Sequence, residues 1–374
     1  MILSPYRRAA VLGAGLMGSQ IAAHLASVGL EVDLLDLPGE PPPGAAPNKE
    51  AARAIARAGR SAPAAAGLQA ALARRPPAFF SPDDARRVRV GNFDDDLGRL
   101  AKADWVVEAV VERLEPKRQL LARVDSVIRP GTAVTTNTSG ISIAAIAQGR
   151  SDVLRANFFG THFFNPPRYM YLLEVIPAPE TDSEVTGRFE HFAAHRLGKG
   201  VVRAKDTPLF IANRIGVFVR MCTIWTMIQD GYTIDEVDAI CGPALGRPRT
   251  AVFRLGDLVG LDTSAHVTRY LYDAAAHDER RDLFGLPPFI VELIQRGHVG
   301  DKAGRGYYRK VKGQRGSEVL TLDWRTMEYR PREALHAESL QRAAAIPDPG
   351  QRIAALVSAD DPAGRFAWKT LSQS

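Results

Sequence analysis

Two cysteines in 374 residues, Cys222 and Cys241, are too few for a disulfide framework or a thiolate metal site, and they suit a reducing compartment. No apolar run approaches the roughly 18 residues that a membrane span needs. No block of Lys and Arg is interleaved with aromatics, which disfavours nucleic acid as a partner. Arg7-Arg8 before Ala-Ala-Val-Leu has the outline of a twin-arginine signal, but Gly13 and Gly15 cut the apolar run at once. The run Asp94-Asp95-Asp96 lacks the further oxygen ligands at loop spacing that calcium requires, so these residues read as capping and loop positions and no metal is expected. A cytoplasmic protein is the expectation.

What is present is ordinary for a globular chain: 45% hydrophobic and 24% charged residues, and enough length for two domains. The net charge of +6 comes mainly from arginine. It fits an anionic partner, and it fits a solvated Arg-rich surface at least as well.

The first forty residues have a definite logic. Ala9–Leu12 is a short apolar run of the kind that forms a buried strand. Gly13-Ala14-Gly15-Leu16-Met17-Gly18 follows, then a helical pattern to Val28 that Gly29 stops, then a second strand over Glu31–Leu35 ending at Asp36. Gly13 permits the tight turn, Gly15 lets backbone approach a pyrophosphate, and Gly18 allows the helix to pack closely on the strand. Phosphates sit well at a helix N-terminus, where free N–H groups and the dipole favour anions. Asp36 is placed to accept from both ribose hydroxyls and to repel a 2′-phosphate, so the expected cofactor is NAD rather than NADP.

Further strand–helix alternation follows: Val88–Val90, Trp105–Val107 and Ala133–Thr136 as strands, with a helix from Pro116. That alternation predicts an α/β fold with a Rossmann-like, doubly wound, mostly parallel sheet. Between residues 38 and 92 lies an insertion with helical segments around 48–59 and 64–75, and a helix start at Ser81-Pro82. Lys49, Arg53, Arg57 and Arg60 share one helical face there, either a clamp for a polyanionic tail or a solvated stripe. Ligands of doubly wound sheets bind beyond the carboxyl ends of strands, and Gly13, Glu112, Asn137, Ser139 and His162 all fall near such ends.

The stretch from Asn157 to Ile176 supplies the chemistry. It sets a single His162 among apolar strand residues, breaks at Pro166-Pro167, and returns as a strand carrying Glu174. An imidazole titrates near neutrality and suits proton abstraction. A histidine isolated among phenylalanines is also what a satisfied core residue looks like.

Taken together, the chain resembles the 3-hydroxyacyl-CoA dehydrogenase family. The resemblance lies in Gly-Ala-Gly-Leu-Met-Gly (13–18), Asp-Trp-Val-Val-Glu-Ala-Val-Val-Glu (104–112), Thr-Asn-Thr-Ser (136–139), His-Phe-Phe-Asn-Pro-Pro (162–167) and Leu-Leu-Glu-Val-Ile (172–176). It continues through Lys-Asp-Thr-Pro-Leu-Phe-Ile-Ala-Asn-Arg (205–214), Val-Gly-Leu-Asp-Thr (259–263) and Lys-Ala-Gly-Arg-Gly-Tyr-Tyr (302–308). It implies NAD-dependent oxidation of L-3-hydroxyacyl-CoA to 3-oxoacyl-CoA, as in fatty-acid β-oxidation. It further implies His162 as general base, Glu174 as the carboxylate that orients it, and Ser139 and Asn213 near the reacting oxygen. Glu112, Lys117, Asn137, Asn165 and Lys302 would line the nicotinamide and its ribose. A homodimer through the second domain is implied as well. Arg247-Pro248-Arg249 departs from the Gly-Pro turn common in the family, which bears on acyl-chain preference more than on chemistry.

The expected domains are 1–205, the NAD-binding domain; 206–310, an all-α helical domain opening on a long apolar helix from Leu209; and 311–374, a tail or linker like that joining a crotonase-type domain in longer relatives. Two other functions fit parts of the sequence. One is a catalytically silent NAD-binding protein, which would have no physical reason to keep His162, Glu174, Ser139 and Asn213 together. The other is a dehydrogenase of free hydroxy acids.

Overall fold

A computed structural model describes residues 6–40, 56–313 and 316–373. The chain divides into two compact units, Met1–Ile211 and Ala212–Ser374.

In the first unit β1 (Arg8–Leu12), α1 (Leu16–Ser27), β2 (Glu31–Asp36), α2 (Ala62–Ala73), β3 (Val88–Asn92) and β4 (Trp105–Glu108) build the first half of a sheet. α3 (Leu114–Asp125), β5 (Ala133–Thr136), the short helices α4 (Ile143–Ala147) and α5 (Asp152–Asn157), and β6 (Phe158–Phe163) extend it. β7 (Leu172–Pro177), α6 (Ser183–His195) and β8 (Gly200–Arg203) finish it. The eight strands lie in the order β3-β2-β1-β4-β5-β6-β7-β8. Pairing is parallel from β3 across to β6, antiparallel between β6 and β7, and parallel again between β7 and β8. The expected doubly wound sheet is therefore present, with its strands buried on both faces as parallel sheets require. Val11, Val32 and Trp105 face a core completed by Ile21 and Leu25 of α1 and Phe189 of α6. Leu12, Val106 and Val134 face the opposite core with Leu120 and Val124 of α3. Each fully buried Phe or Leu there contributes about 1.5–3 kcal/mol.

The insertion behaves differently from the clamp considered above. Lys49 and Arg53 lie outside the described residues. Arg60 bonds Asp95 at 2.7 Å and Asp94 at 3.4 Å, and Arg57 bonds Asp96 at 3.3 Å. The aspartate run thus pairs with both arginines at the surface, which supports the solvated-stripe reading over the clamp. The expected helix at Ser81 is a short 3-10 segment, Pro82–Arg87, with Ser81 and Asp84 forming a capping box.

Residues 206–211 belong to the first unit, not to the second domain that was expected to start there. Asp206 caps α4 by accepting from Ile143 N, Ala144 N and Ser142 Oγ. Phe210 is buried in the core beneath the sheet. Leu209 and Phe210 both take left-handed backbone angles, φ 61° and 54°, which cost about 1–2 kcal/mol each for residues with a Cβ. The helix expected from Leu209 accordingly starts at Ala212.

The second unit opens with α7 (Ala212–Asp230), whose Met221, Cys222, Ile224 and Met227 are buried. Four further helices, α8 (Ile234–Ile240), α9 (Phe253–Val259), α10 (Leu261–Ala274) and α11 (Pro288–Gln295), follow. Within the expected helical domain the elements are helical up to Tyr308, and beyond it β9 (Tyr308–Gly313), β10 (Gly316–Asp323) and β11 (Glu328–Pro331) form an antiparallel sheet. The tail is not a free linker either. α12 (Glu338–Ala344) and α13 (Pro349–Val357) lead into α14 (Pro362–Gln373), a 12-residue helix. Phe366 of α14 is fully buried with its ring 4.7 Å from that of Tyr232, Lys369 pairs with Asp230 at 2.6 Å, and Trp324 donates to the Tyr232 carbonyl. Among the described residues, no helix is long and apolar enough to cross a membrane.

Candidate active site

Gly13 has φ +101°, and a Cβ there would lie 2.6 Å from the Ala109 carbonyl oxygen. A Cβ on Gly18 would lie 1.9 Å from Gly13 O, whereas one on Gly15 would meet nothing within 4 Å. Gly13 and Gly18 therefore hold α1 against β1 and β4, and Gly15 leaves open backbone at the helix N-terminus. A cavity of about 470 Å³ opens there, lined by Gly13, Gly15, Asp36, Leu37, Val110 and Val111. Asp36 accepts from Ala14 N at 2.6 Å and Leu37 N at 2.7 Å, which fixes its carboxylate at the end of β2. An open glycine backbone, a bare helix N-terminus and a fixed acid fit a dinucleotide.

At the ends of β4 and β5 the expected residues are brought together, though not all face outward. Lys117 is fully buried, with its ammonium bonded to Glu108 at 2.9 and 3.1 Å, to Val110 O at 3.3 Å and paired with Glu112 at 3.3 Å. Expected beside the nicotinamide, it braces the site from within. Glu112 accepts from Thr138 Oγ1 at 2.5 Å and from Ser139 N at 2.7 Å, so it sets the loop that presents Ser139. Asn137 accepts the Phe163 N–H at 2.9 Å, and Asn165 accepts from Gln20 at 3.0 Å.

His162 and Glu174 lie directly opposite each other across the antiparallel β6–β7 pair. That register puts both side chains on one face within reach. His162 Nδ1 is 2.7 Å from Glu174 Oε2, and both residues are buried. A carboxylate only accepts, so Nδ1 carries a proton, and in the neutral imidazole Nε2 is then the nitrogen with the lone pair. Glu174 Oε1 accepts from Ile211 N at 3.1 Å, delivered by the left-handed turn at Leu209-Phe210. The rings of Phe164 and Phe210 stand 4.4 and 5.7 Å from the imidazole and wall it off from water. The loop between the two strands is tied down by Lys199, which donates to Met170 O at 2.8 Å and to Pro167 O; burial lowers its pKa to about 8.

Two expected residues belong to the second unit. Asn213 lies in the first turn of α7, and Lys302 pairs with Asp262 at 2.7 Å. Glu108, Gln20, Thr138 and Ile211 escaped the sequence reading. Glu108 left one trace, a carboxylate ending an otherwise apolar strand, Trp-Val-Val-Glu, with a lysine nine residues on. Gln20 left another, a polar residue between Ser19 and the apolar Ile21-Ala22-Ala23 of α1.

The fold and the cradle define a dinucleotide-binding α/β protein that carries a buried histidine–carboxylate pair. The family model for the 3-hydroxyacyl-CoA dehydrogenase NAD-binding domain matches residues 8–207, and that for the 3-hydroxyacyl-CoA dehydrogenase C-terminal domain matches residues 210–310. The chain belongs to the 3-hydroxyacyl-CoA dehydrogenase family. A probable 3-hydroxyacyl-CoA dehydrogenase of Bacillus subtilis is 42% identical over 98% of this chain, which spans 46% of that protein's length. One from Deinococcus radiodurans is 43% identical over 83% of this chain and 84% of its own. Among solved structures, Mycobacterium tuberculosis FadB2 superposes with a TM-score of 0.65 at 29% identity, covering 82% of this chain and all of that one. The 3-hydroxybutyryl-CoA dehydrogenase of Escherichia coli gives 0.64 at 29% identity, over 90% of this chain and 63% of that one.

Proposed function

We propose that this chain oxidises an L-3-hydroxyacyl-CoA to the 3-oxoacyl-CoA with NAD, as in fatty-acid β-oxidation, using His162 as general base oriented by Glu174. The observation that carries the reading is the 2.7 Å bond from His162 Nδ1 to the buried Glu174 carboxylate. Oxidising an alcohol removes a hydride from carbon and a proton from oxygen as the C=O bond forms. Nε2 of His162 takes the proton, and Glu174 stabilises the imidazolium so produced, the logic of a triad carboxylate. Ser139 and Asn213 would hydrogen-bond the reacting oxygen. Gly13, Gly15, Gly18 and Asp36 would hold the dinucleotide, with Glu112, Asn137, Asn165 and Lys302 toward its nicotinamide end and Lys117 behind Glu112. Bound there, NAD supplies the hydride acceptor. The homodimer implied by the family belongs to the same reading.

The test is NADH production with 3-hydroxyacyl-CoAs of several lengths against the corresponding free 3-hydroxy acids. Turnover of the thioesters alone is expected. Activity confined to free acids would remove the CoA reading. Tight NADH binding with no turnover of either would make the chain a silent dinucleotide-binding protein.

A further inference from the structure

Gln20 sits on α1, one turn inside the helix that begins at the glycine cradle, and is 2% exposed. Its Nε2 donates to the Leu16 carbonyl at 2.9 Å and to Asn165 Oδ1 at 3.0 Å, while its Oε1 is buried with no partner. A backbone carbonyl only accepts. The Leu16 contact therefore decides which end of the Gln20 amide carries hydrogens. Turning that amide over would set its oxygen against two acceptors, Leu16 O and Asn165 Oδ1. The Asn165 oxygen is thereby oriented toward Gln20, and its NH₂ is left to donate to another group. Asn165 is itself exposed, so without that donor its amide could turn freely in water.

Asn137 repeats the arrangement with a different anchor. Its Oδ1 accepts the backbone N–H of Phe163, a group that only donates. Both asparagines beside the strand ends are thus held by a donor on their oxygens, which leaves each NH₂ to donate elsewhere. A surface of that polarity recognises ligand acceptors, such as a carboxamide carbonyl or ribose oxygens.

We propose that Gln20 is a positioning residue that locks Asn165 as a hydrogen-bond donor to the acceptor-bearing end of the bound dinucleotide. The proposal rests on the dehydrogenase reading above for the identity of that ligand.

The experiment uses Gln20→Met, which keeps the buried volume and the helix but has no donor. Gln20→Leu serves as a second variant. Both variants lose the two hydrogen bonds that Gln20 Nε2 donates, so they should stay folded with a slightly lowered unfolding midpoint. They should raise Kd for NADH (by fluorescence) and KM for NAD about five- to tenfold, and leave KM for the acyl-CoA within about twofold. In an Asn165→Ala background, Gln20→Met should change NADH affinity less than about twofold, because the group it acts through is gone. Wild-type NADH affinity in both single variants would overturn the proposal, as would an undiminished loss in the Asn165→Ala background. A wild-type protein that binds NADH but oxidises no acyl-CoA would sink the activity while the binding cycle still judges Gln20. One that binds no NADH would remove both.

Discussion

Two buried carboxylates at the same end of the sheet each hold a cationic or protonatable partner, and they do different work. Glu108, at the end of β4, takes the Lys117 ammonium on both oxygens, along with Val110 N at 2.7 Å and Thr136 Oγ1 at 2.5 Å. Lys117 has three N–H groups and no lone pair, and Glu108, Glu112 and Val110 O absorb them. Glu174, in β7, holds only one edge of His162 and leaves Nε2 with its lone pair. Burial and pairing are common to both sites. What separates a brace from a base is unspent bonding capacity, and only the imidazole has any.

The contrast breaks most directly at its reactive member. His162→Ala should lower kcat by about 10²–10⁴-fold, the usual yield of general acid–base catalysis, with NADH binding by fluorescence intact. Near-wild-type turnover would put the base elsewhere. At the brace, Lys117→Met strands the Glu108 carboxylate in the interior and should cost about 3–5 kcal/mol in urea unfolding, the penalty of an orphaned buried charge. Turnover per folded molecule should fall far less than in the histidine variant. A stable Lys117→Met protein with turnover lost by more than about 10²-fold would place the lysine in the chemistry after all.

The same distinction explains what could be read from the sequence. The positions of Gly13, Gly15, Gly18 and Asp36 followed from local rules of spacing (turn, helix start, strand end), whereas His162 and Glu174 stood out only through the family motif, since an isolated histidine among phenylalanines reads equally as core. The doubly wound sheet followed from alternation of short apolar runs with helices. Gln20, Thr138 and Ile211 were not legible, since their partners lie 145, 26 and 37 residues away and nothing local announces them. The brace was half legible: Lys117 was placed in the right neighbourhood, but only its bonds to Glu108 show that it faces inward. The tail misled for a further reason. Its helices are amphipathic in isolation, and the surface that completes them, around Tyr232, is about 130 residues upstream, as the Tyr232 bond to Pro362 records. Clamp and solvated stripe stayed open for Arg57 and Arg60 because a helical face shows which residues align, not which aspartates wait across from them.

Glu174→Gln sharpens the contrast within the reactive pair. Glu174 Oε2 accepts from His162 Nδ1 and its Oε1 from Ile211 N. A glutamine has one oxygen and one NH₂, so one of those donors must face another donor. If the NH₂ meets the imidazole, the proton is driven to Nε2 and the lone pair needed for catalysis is lost. If it meets Ile211, the turn at Leu209-Phe210 is pushed away. Either way kcat should fall by about 10²-fold at little change in NADH affinity, a smaller loss than removing the base itself. Wild-type kcat in this variant would mean that Glu174 does not set the tautomer.

A second buried imidazole shows what happens without a carboxylate. His24 on α1 donates from Nε2 to Leu197 O at 3.2 Å, and its Nδ1 is buried with no partner. Burial, then the nearby Lys199 charge, lower its pKa from 6.5 to about 4. Because the unfolded chain binds a proton below pH 6.5 and the folded one does not until about pH 4, this group stabilises the fold above pH 6.5 and that stability drains away as pH falls through the window. Between pH 7 and pH 5 the loss should be about 2 kcal/mol from this residue. His24→Gln keeps a donor for Leu197 O and cannot titrate, so its urea stability should fall less over that interval by the same amount. If wild type and variant lose stability in parallel, His24 is already protonated in the folded state. The rule that a buried imidazole without an acid stays neutral would then fail here.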